Sequence, residues 1–264
     1  TRTPQPGILS PLTVLRGFII VQSIFEPGPA CPTIKKPPIL GGFLYLWALV
    51  IYGHFWFSTD MSFYDWESSK LAVVDTEGNG QPLADLVEIA IVHVDSGQIV
   101  GKQSWLIKPK EPVTSRAYGL HGISNAELEN QPTWEHIENE ILEAMRGRIF
   151  VAHNAGTDLS VLKKKMPGWS PDAVIDTLRI SRQLRPERTS HSLSALIDAY
   201  GIESEIQAEV SGGPHRALYD AYATAILLLK LRLKSDGSII SLSDVIRPTG
   251  SVESTRESPQ LGLF

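Results

Sequence analysis

Leu71-Ala72-Val73-Val74-Asp75-Thr76-Glu77-Gly78 runs from four apolar residues into two carboxylates and a turn. A short valine-rich run closed by glycine reads as a buried strand. Side chains at i and i+2 of a strand share a face. Asp75 and Glu77 therefore project side by side at the strand's end, before Gly78, Asn79 and Gly80 turn the chain. Two carboxylates about 4 Å apart repel by about 4 kcal/mol at an effective dielectric of about 20. Such a pair shares a proton or binds a cation, and hard oxygen ligands suit Mg²⁺ or Mn²⁺. Two solvated acids at a strand-to-turn junction are the alternative.

Two further stretches carry candidate chemistry. Arg148 to Ala152 reads as another strand, followed by His153, Asn154 and a helix whose first turns hold Asp158. Leu159 and Leu162 supply that helix's apolar face, and Lys163, Lys164 and Lys165 end it. An acid so placed would also simply complement the helix dipole. Further on, Gly212, Gly213 and Pro214 lead to His215, read as opening the last long helix, with Asp220 following. Ala217, Ala221, Ala225 and Leu228 form an apolar seam at helical spacing. The ordinary pKa of histidine suits a base at neutral pH.

Taken together, these stretches resemble the motifs of the DEDDh family of 3′–5′ exonucleases. Asp75 and Glu77 stand as its Asp-x-Glu, His153 to Asp158 as His-Asn-x-x-x-Asp, and His215 to Asp220 as His-x-Ala-x-x-Asp. Glu88-Ile89, Leu120-His121-Gly122-Ile123, Ile175-Asp176-Thr177 and His191-Ser192-Leu193 extend the similarity from about Lys70 to Leu233. The chain looks most like the epsilon proofreading subunit of bacterial DNA polymerase III and its stand-alone homologues. A tyrosine variant of the superfamily needs Tyr where this chain has Arg216, so Tyr219 is not that residue. The resemblance implies a ribonuclease-H-like α/β fold, a mixed sheet flanked by helices. It implies that Asp75, Glu77, Asp158 and Asp220 organise two divalent cations, Mg²⁺ or Mn²⁺, and that His215 takes the proton from the attacking water. It also makes Thr76, Gly78, His121 and Asn154 candidates to line the pocket of the terminal nucleotide. The substrate expected is a single-stranded or frayed 3′ end of DNA, with a DNA polymerase subunit as a further candidate partner. An RNA exonuclease of ribonuclease T or oligoribonuclease type and a noncatalytic clamp-binding adaptor are the alternatives.

Composition fits one core domain with appendages. The chain has 264 residues, one cysteine (Cys31) and a formal net charge of −5. The lone cysteine excludes an intrachain disulfide and fits a reducing, cytoplasmic setting. A negative balance is unusual for a nonspecific nucleic-acid binder, unless metals neutralise the site. Local basic stretches remain at Lys163 to Lys165 and at Arg179, Arg182, Arg185 and Arg188, either to follow phosphates or as a solvated helix face. Strands are expected at 71–76, 86–94, 99–107, 149–152 and 173–176, with helices at 133–146, 192–200 and 216–233.

Three regions follow: residues 1–60 as an apolar extension, 61–235 as the exonuclease domain, and 236–264 as a flexible tail. Residues 37–59 lack Asp, Glu, Lys and Arg, and the 19 residues from Ile39 to Phe57 are almost wholly apolar. At 1.5 Å per residue such a segment spans about 28 Å, close to a bilayer core. It is a transmembrane candidate, which would make the protein membrane-anchored. The positive residues before it would, however, place the nuclease outside the cytoplasm, and the first methionine is Met61. A translated upstream stretch is the other reading. At the other end, Gln260-Leu261-Gly262-Leu263-Phe264 follows a Ser-, Thr-, Glu- and Pro-rich run. It resembles the pentapeptide by which bacterial polymerases and repair proteins bind the sliding clamp, through Gln260, Leu261, Leu263 and Phe264.

Overall fold

Burial on both faces, rather than alternation, marks the first two strands. β1 (Lys70–Gly78) and β2 (Leu86–Asp95) carry continuous runs of buried residues, as strands covered by helices on both sides do. The computed structural model describes residues 65–82, 84–234 and 237–248. In chain order the next elements are β3 (Gln98–Leu106), α1 (Ser115–His121), α2 (Asn125–Leu128), α3 (Trp134–Met145), β4 (Ile149–Ala152) and α4 (Ala155–Lys165). They are followed by β5 (Ala173–Asp176), α5 (Thr177–Leu184), α6 (Leu193–Tyr200), α7 (Glu203–Gln207), α8 (Ala217–Leu231), α9 (Leu242–Val245) and β6 (Arg247–Pro248).

The sheet has the order β3-β2-β1-β4-β5-β6. β1, β4 and β5 are parallel, whereas β2, β3 and β6 run antiparallel to their neighbours. The parity of β1 divides the core. Leu71 and Val73 join Ala90, Val92 and Val94 in a cluster with α8. Ala72 and Val74 join Ile89, Ile91 and Phe150 in a cluster with α3 and α4. Helix α8 is buried nearly all round, so the expected seam at Ala217, Ala221, Ala225 and Leu228 is part of a wider apolar surface. This is the mixed sheet with helices on both faces that the sequence leads one to expect.

Pairing of β1 with β4 covers only Leu71 to Val73. Asp75 to Gly78 therefore overhang β4, and the first turn of α4 meets them there. The overhang still pairs with β2, where Glu77 stands opposite Glu88 before a register shift at Glu77/Gly78. The turn beyond is locked by the fully buried Asn79. Its side-chain oxygen accepts the backbone N–H of Asp85 at 3.0 Å and its amide donates to the Glu111 carbonyl at 3.1 Å. Gly80 has φ +72°, and a Cβ there would overlap Thr114 Oγ1 and Ala117 Cβ, so glycine is required.

Two expectations change. The flexible tail was expected to begin at residue 236, but the chain continues as a folded segment to Pro248, with α9 and β6. Ile240, Leu242 and Ile246 are buried, and the Trp66 indole N–H donates to the Ile240 carbonyl at 2.7 Å. These three apolar residues lie in a short run interrupted by Ser241, Ser243 and Asp244, yet they are buried. His215 does not open the last helix. It lies two residues before α8 with φ +65°, and Arg216 is the N-cap. No helix among the described residues is long and apolar enough to cross a membrane. The apolar stretch at residues 39–57 and the pentapeptide at residues 260–264 lie outside the described residues.

The folded segment after α8 gives a direct expectation. Leu242 is 1% exposed, so Leu242→Ala should lower unfolding free energy by about 2–5 kcal/mol. Urea denaturation measures it, and a change near zero would mean that the segment does not pack.

Candidate active site

The carboxyl ends of β1, β4 and β5 share one edge of the sheet, the usual position for a site in open α/β folds. Asp75 and Glu77 follow Leu71 and Val73 in parity, so they face the side covered by α8, where Asp220 lies in the first turn. Thr76 has the opposite parity, and its hydroxyl donates to Asp158 Oδ1 at 2.8 Å in the first turn of α4. All four sequence-predicted acids thus converge on the overhanging end of β1.

The electrostatics of this cluster are unfavourable without a counter-ion. Asp75 keeps some solvent contact, but desolvation by the surrounding protein, then the charges of Asp158, Asp220 and Glu77, hold its carboxyl well above the usual range. Glu77 is 6% exposed. Burial first, then Asp220 and Glu88, push it up to about 9. Burial raises Asp158 and Asp220 to about 7 each, although the Thr76 hydroxyl and the His215 backbone N–H, respectively, act in the opposite direction. The carboxylate of Glu77 makes no hydrogen bond or ion pair among the described residues. The chemistry of this donor set fits divalent cations: hard oxygens, closely spaced, each stabilised as an anion only if positive charge arrives.

A nearby cation of the protein is already engaged. Arg216 holds Glu88 through two parallel bonds, Nε to Oε2 at 3.0 Å and Nη2 to Oε1 at 2.9 Å. The same Oε2 accepts the backbone N–H of Ala217 at 2.9 Å. Glu88 therefore fastens the first turn of α8 to β2 and absorbs the charge of Arg216. The resemblance flagged Glu88, but nothing in the sequence pairs two residues 128 positions apart. His215 is exposed. Its backbone N–H donates to Asp220 Oδ2 at 3.1 Å, and ligand atoms of Glu77, His215 and Asp220 all lie within 4.8 Å of one another.

The four residues expected to line a nucleotide divide differently. Thr76 and His121 are buried, and their polar side-chain atoms are used within the protein. His121 Nδ1 accepts the Ile123 backbone N–H at 3.0 Å, so its proton sits on Nε2 and donates to the Gly78 carbonyl at 3.2 Å. Burial lowers its pKa, consistent with a neutral ring. His121 and Gly78 thus fix the end of β1. Asn154 is the exposed one of the four. It has φ +68°, its backbone N–H donates to Asp176 Oδ1 at 3.0 Å, and its side chain donates to Thr157 Oγ1 at 3.0 Å. Asp176 Oδ1 also caps α5 through the Leu178 N–H at 3.0 Å. Beside it, His153 donates from Nε2 to the His191 carbonyl at 2.9 Å and accepts from the Thr177 hydroxyl at 2.9 Å. Asp176 and His153 are supports that residue type alone did not single out.

Comparison with known proteins bears on this geometry. The family profile described as Exonuclease (RNase T) matches residues 62–228. The PolC-type DNA polymerase III of Halalkalibacterium halodurans is 33% identical over 169 residues, covering 62% of this chain and 11% of that protein. The Staphylococcus epidermidis counterpart is 32% identical over 162 residues, covering 60% and 11%. The chain thus spans 11% of the length of these curated relatives. Among solved structures, Exonuclease X in complex with 5′ overhanging duplex DNA is 30% identical with a TM-score of 0.51, covering 66% of this chain and 98% of that one. The nuclease domain of 3′hExo, a DEDDh family member bound to rAMP, shares the fold at 13% identity and a TM-score of 0.53, covering 64% and 94%. Residues 62–228, which carry the overhanging β1, the start of α4 and the His215 loop, are therefore an exonuclease domain, and the chain belongs to the exonuclease family.

Proposed function

We propose that this domain removes nucleotides from single-stranded or frayed 3′ ends of DNA, in proofreading or repair. In this reading Asp75, Glu77, Asp158 and Asp220 hold two divalent cations, Mg²⁺ or Mn²⁺, and His215 is the general base. The observation that carries it is the convergence of four carboxylates, all raised in pKa, beside an arginine that Glu88 has already claimed. The DNA preference is supported by the polymerase relatives and by the DNA complex of Exonuclease X.

Bound cations would neutralise the scissile phosphate and make water a better nucleophile. The protein's own part is positional. Thr76 orients Asp158 from the neighbouring face of β1. Asp220 holds the backbone of His215, so the imidazole and the carboxylate share one loop geometry. An exposed imidazole beside the acids is placed to accept a proton from an attacking water and release it to solvent. Glu88 and Arg216 keep the start of α8, and hence Asp220, in register with β1. We extend the reading to a tether: Gln260, Leu261, Leu263 and Phe264 dock in the sliding clamp of a bacterial polymerase, supported by the pentapeptide's sequence alone.

Hydrolysis of 5′-labelled DNA and RNA strands in Mg²⁺ tests the activity. The DNA strand should shorten stepwise from its 3′ end, and faster than RNA. Asp75→Ala or Asp220→Ala should abolish turnover, and His215→Ala should lower it by about 10²–10⁴-fold. Equal turnover by all three variants would overturn the assignment.

The raised acids also predict how stability varies with pH. Without metal, the folded chain keeps protons that the unfolded chain loses near about pH 4. That contribution is full below about pH 4 and is lost as pH rises through about 7, where Asp158 and Asp220 ionise, and about 9, where Glu77 does. The melting temperature of the metal-free protein should therefore fall between pH 5 and pH 9. Mg²⁺ should recover it more at the alkaline end, and Asp75→Asn should flatten the fall. A metal-free melting temperature that climbs over this range contradicts the burial of these acids.

For the tether, removing residues 260–264 should leave cleavage of short oligonucleotides unchanged and abolish binding to a purified bacterial clamp, measured by titration. Equal binding with and without the pentapeptide would show that it plays no part.

A further inference from the structure

Glu77, His215 and Asp220 differ from the other acids in one respect: they bring a nitrogen to the cluster. Their ligand atoms lie within 4.8 Å of one another. In a tetrahedral Zn²⁺ site, with bonds of about 2.1 Å, ligand atoms stand about 3.4 Å apart. Closing that difference requires these ligand atoms to move closer together. His215 is exposed, on the loop that follows Gly212 and Gly213. Glu77 is 6% exposed, has no hydrogen bond or ion pair among the described residues, and is aimed at the other two. Asp220 is already bonded to the His215 backbone, which keeps the imidazole near both carboxylates.

We propose that these three residues form a transition-metal site of Zn²⁺ type, in which His215 becomes a ligand. The site would act as an inhibitory switch; this function rests on the proposed role of His215 as base. An imidazole together with two carboxylates suits Zn²⁺, whereas Mg²⁺ prefers six oxygens in an octahedron and is bound by few protein groups. Zn²⁺ therefore competes for Glu77 and Asp220 with an extra ligand that Mg²⁺ does not use. Once the imidazole lone pair is directed to the metal, it accepts no proton from water. The same loop then has two states, one with the ring free and one with the ring tied to Glu77 and Asp220.

Calorimetric titration of Zn²⁺ into the full chain, in excess Mg²⁺, tests the site without reference to turnover. One Zn²⁺ should bind despite the Mg²⁺. His215→Ala should weaken Zn²⁺ binding by more than the about 10–100-fold that loss of a group merely supporting a ligand costs, with Mg²⁺ binding kept. Co²⁺ offered in place of Zn²⁺ should give an intense visible absorption of four-coordinate type that His215→Ala abolishes. Zn²⁺ should also inhibit Mg²⁺-driven hydrolysis in the parent protein. Equal Zn²⁺ affinity in parent and His215→Ala, or a Co²⁺ spectrum indifferent to the substitution, overturns the site. Histidine-dependent Zn²⁺ binding in a protein that hydrolyses no nucleic acid would sink the exonuclease proposal and leave the metal site standing.

Discussion

Mutual repulsion among buried carboxylates is the constraint on which the rest of the structure depends. Asp75, Glu77, Asp158 and Asp220 are gathered where desolvation penalises each negative charge, and for Asp75 and Glu77 the neighbouring acids add to the penalty. Left alone, such a cluster would push its strands and helices apart or keep its protons. The surrounding architecture resists the first outcome. β1 is pinned through both faces of the core. Its far end is fixed by Asn79 and His121, and α8 is fastened by Glu88. A rigid frame holds the acids together, so their destabilisation is available to favour cation binding.

Two nearby carboxylates illustrate how environment divides roles. Glu77 and Glu88 face each other across one strand pair. Glu88 has the guanidinium of Arg216 and a backbone N–H of α8, and is used up structurally. Glu77 has neither, and remains available to a ligand. An arginine fork suits this task better than lysine, since its two parallel bonds fix an angle as well as a distance.

Much of this was legible from local pattern. The unbroken apolar runs before Asp75 and in β2 gave the strands, and the β4 and β5 boundaries follow their valine- and isoleucine-rich segments. The same-face placement of Asp75 and Glu77 needs only the period of a strand. What escaped depends on contacts remote in sequence. The hydrogen bonds of Thr76 and His121 could not be read locally, because their partners, Asp158 and Gly78, are 82 and 43 residues away. The left-handed backbone of His215 is invisible in a segment whose glycines already suggest a loop. Ile240, Leu242 and Ile246 lie in a short segment interrupted by Ser241, Ser243 and Asp244 that local pattern does not single out, yet they are buried, and the Trp66 indole bonds the Ile240 carbonyl.

That last contact joins the two flanks of the domain. Trp66 lies just before β1, and Ile240 lies after α8, yet the indole of one bonds the carbonyl of the other. Entry and exit are thereby brought side by side, the arrangement that lets a domain be carried within a larger chain without disturbing either neighbour. The exonuclease unit is closed on itself like a loop with a clasp. That clasp rests on one tryptophan and not on the chemistry the domain encloses.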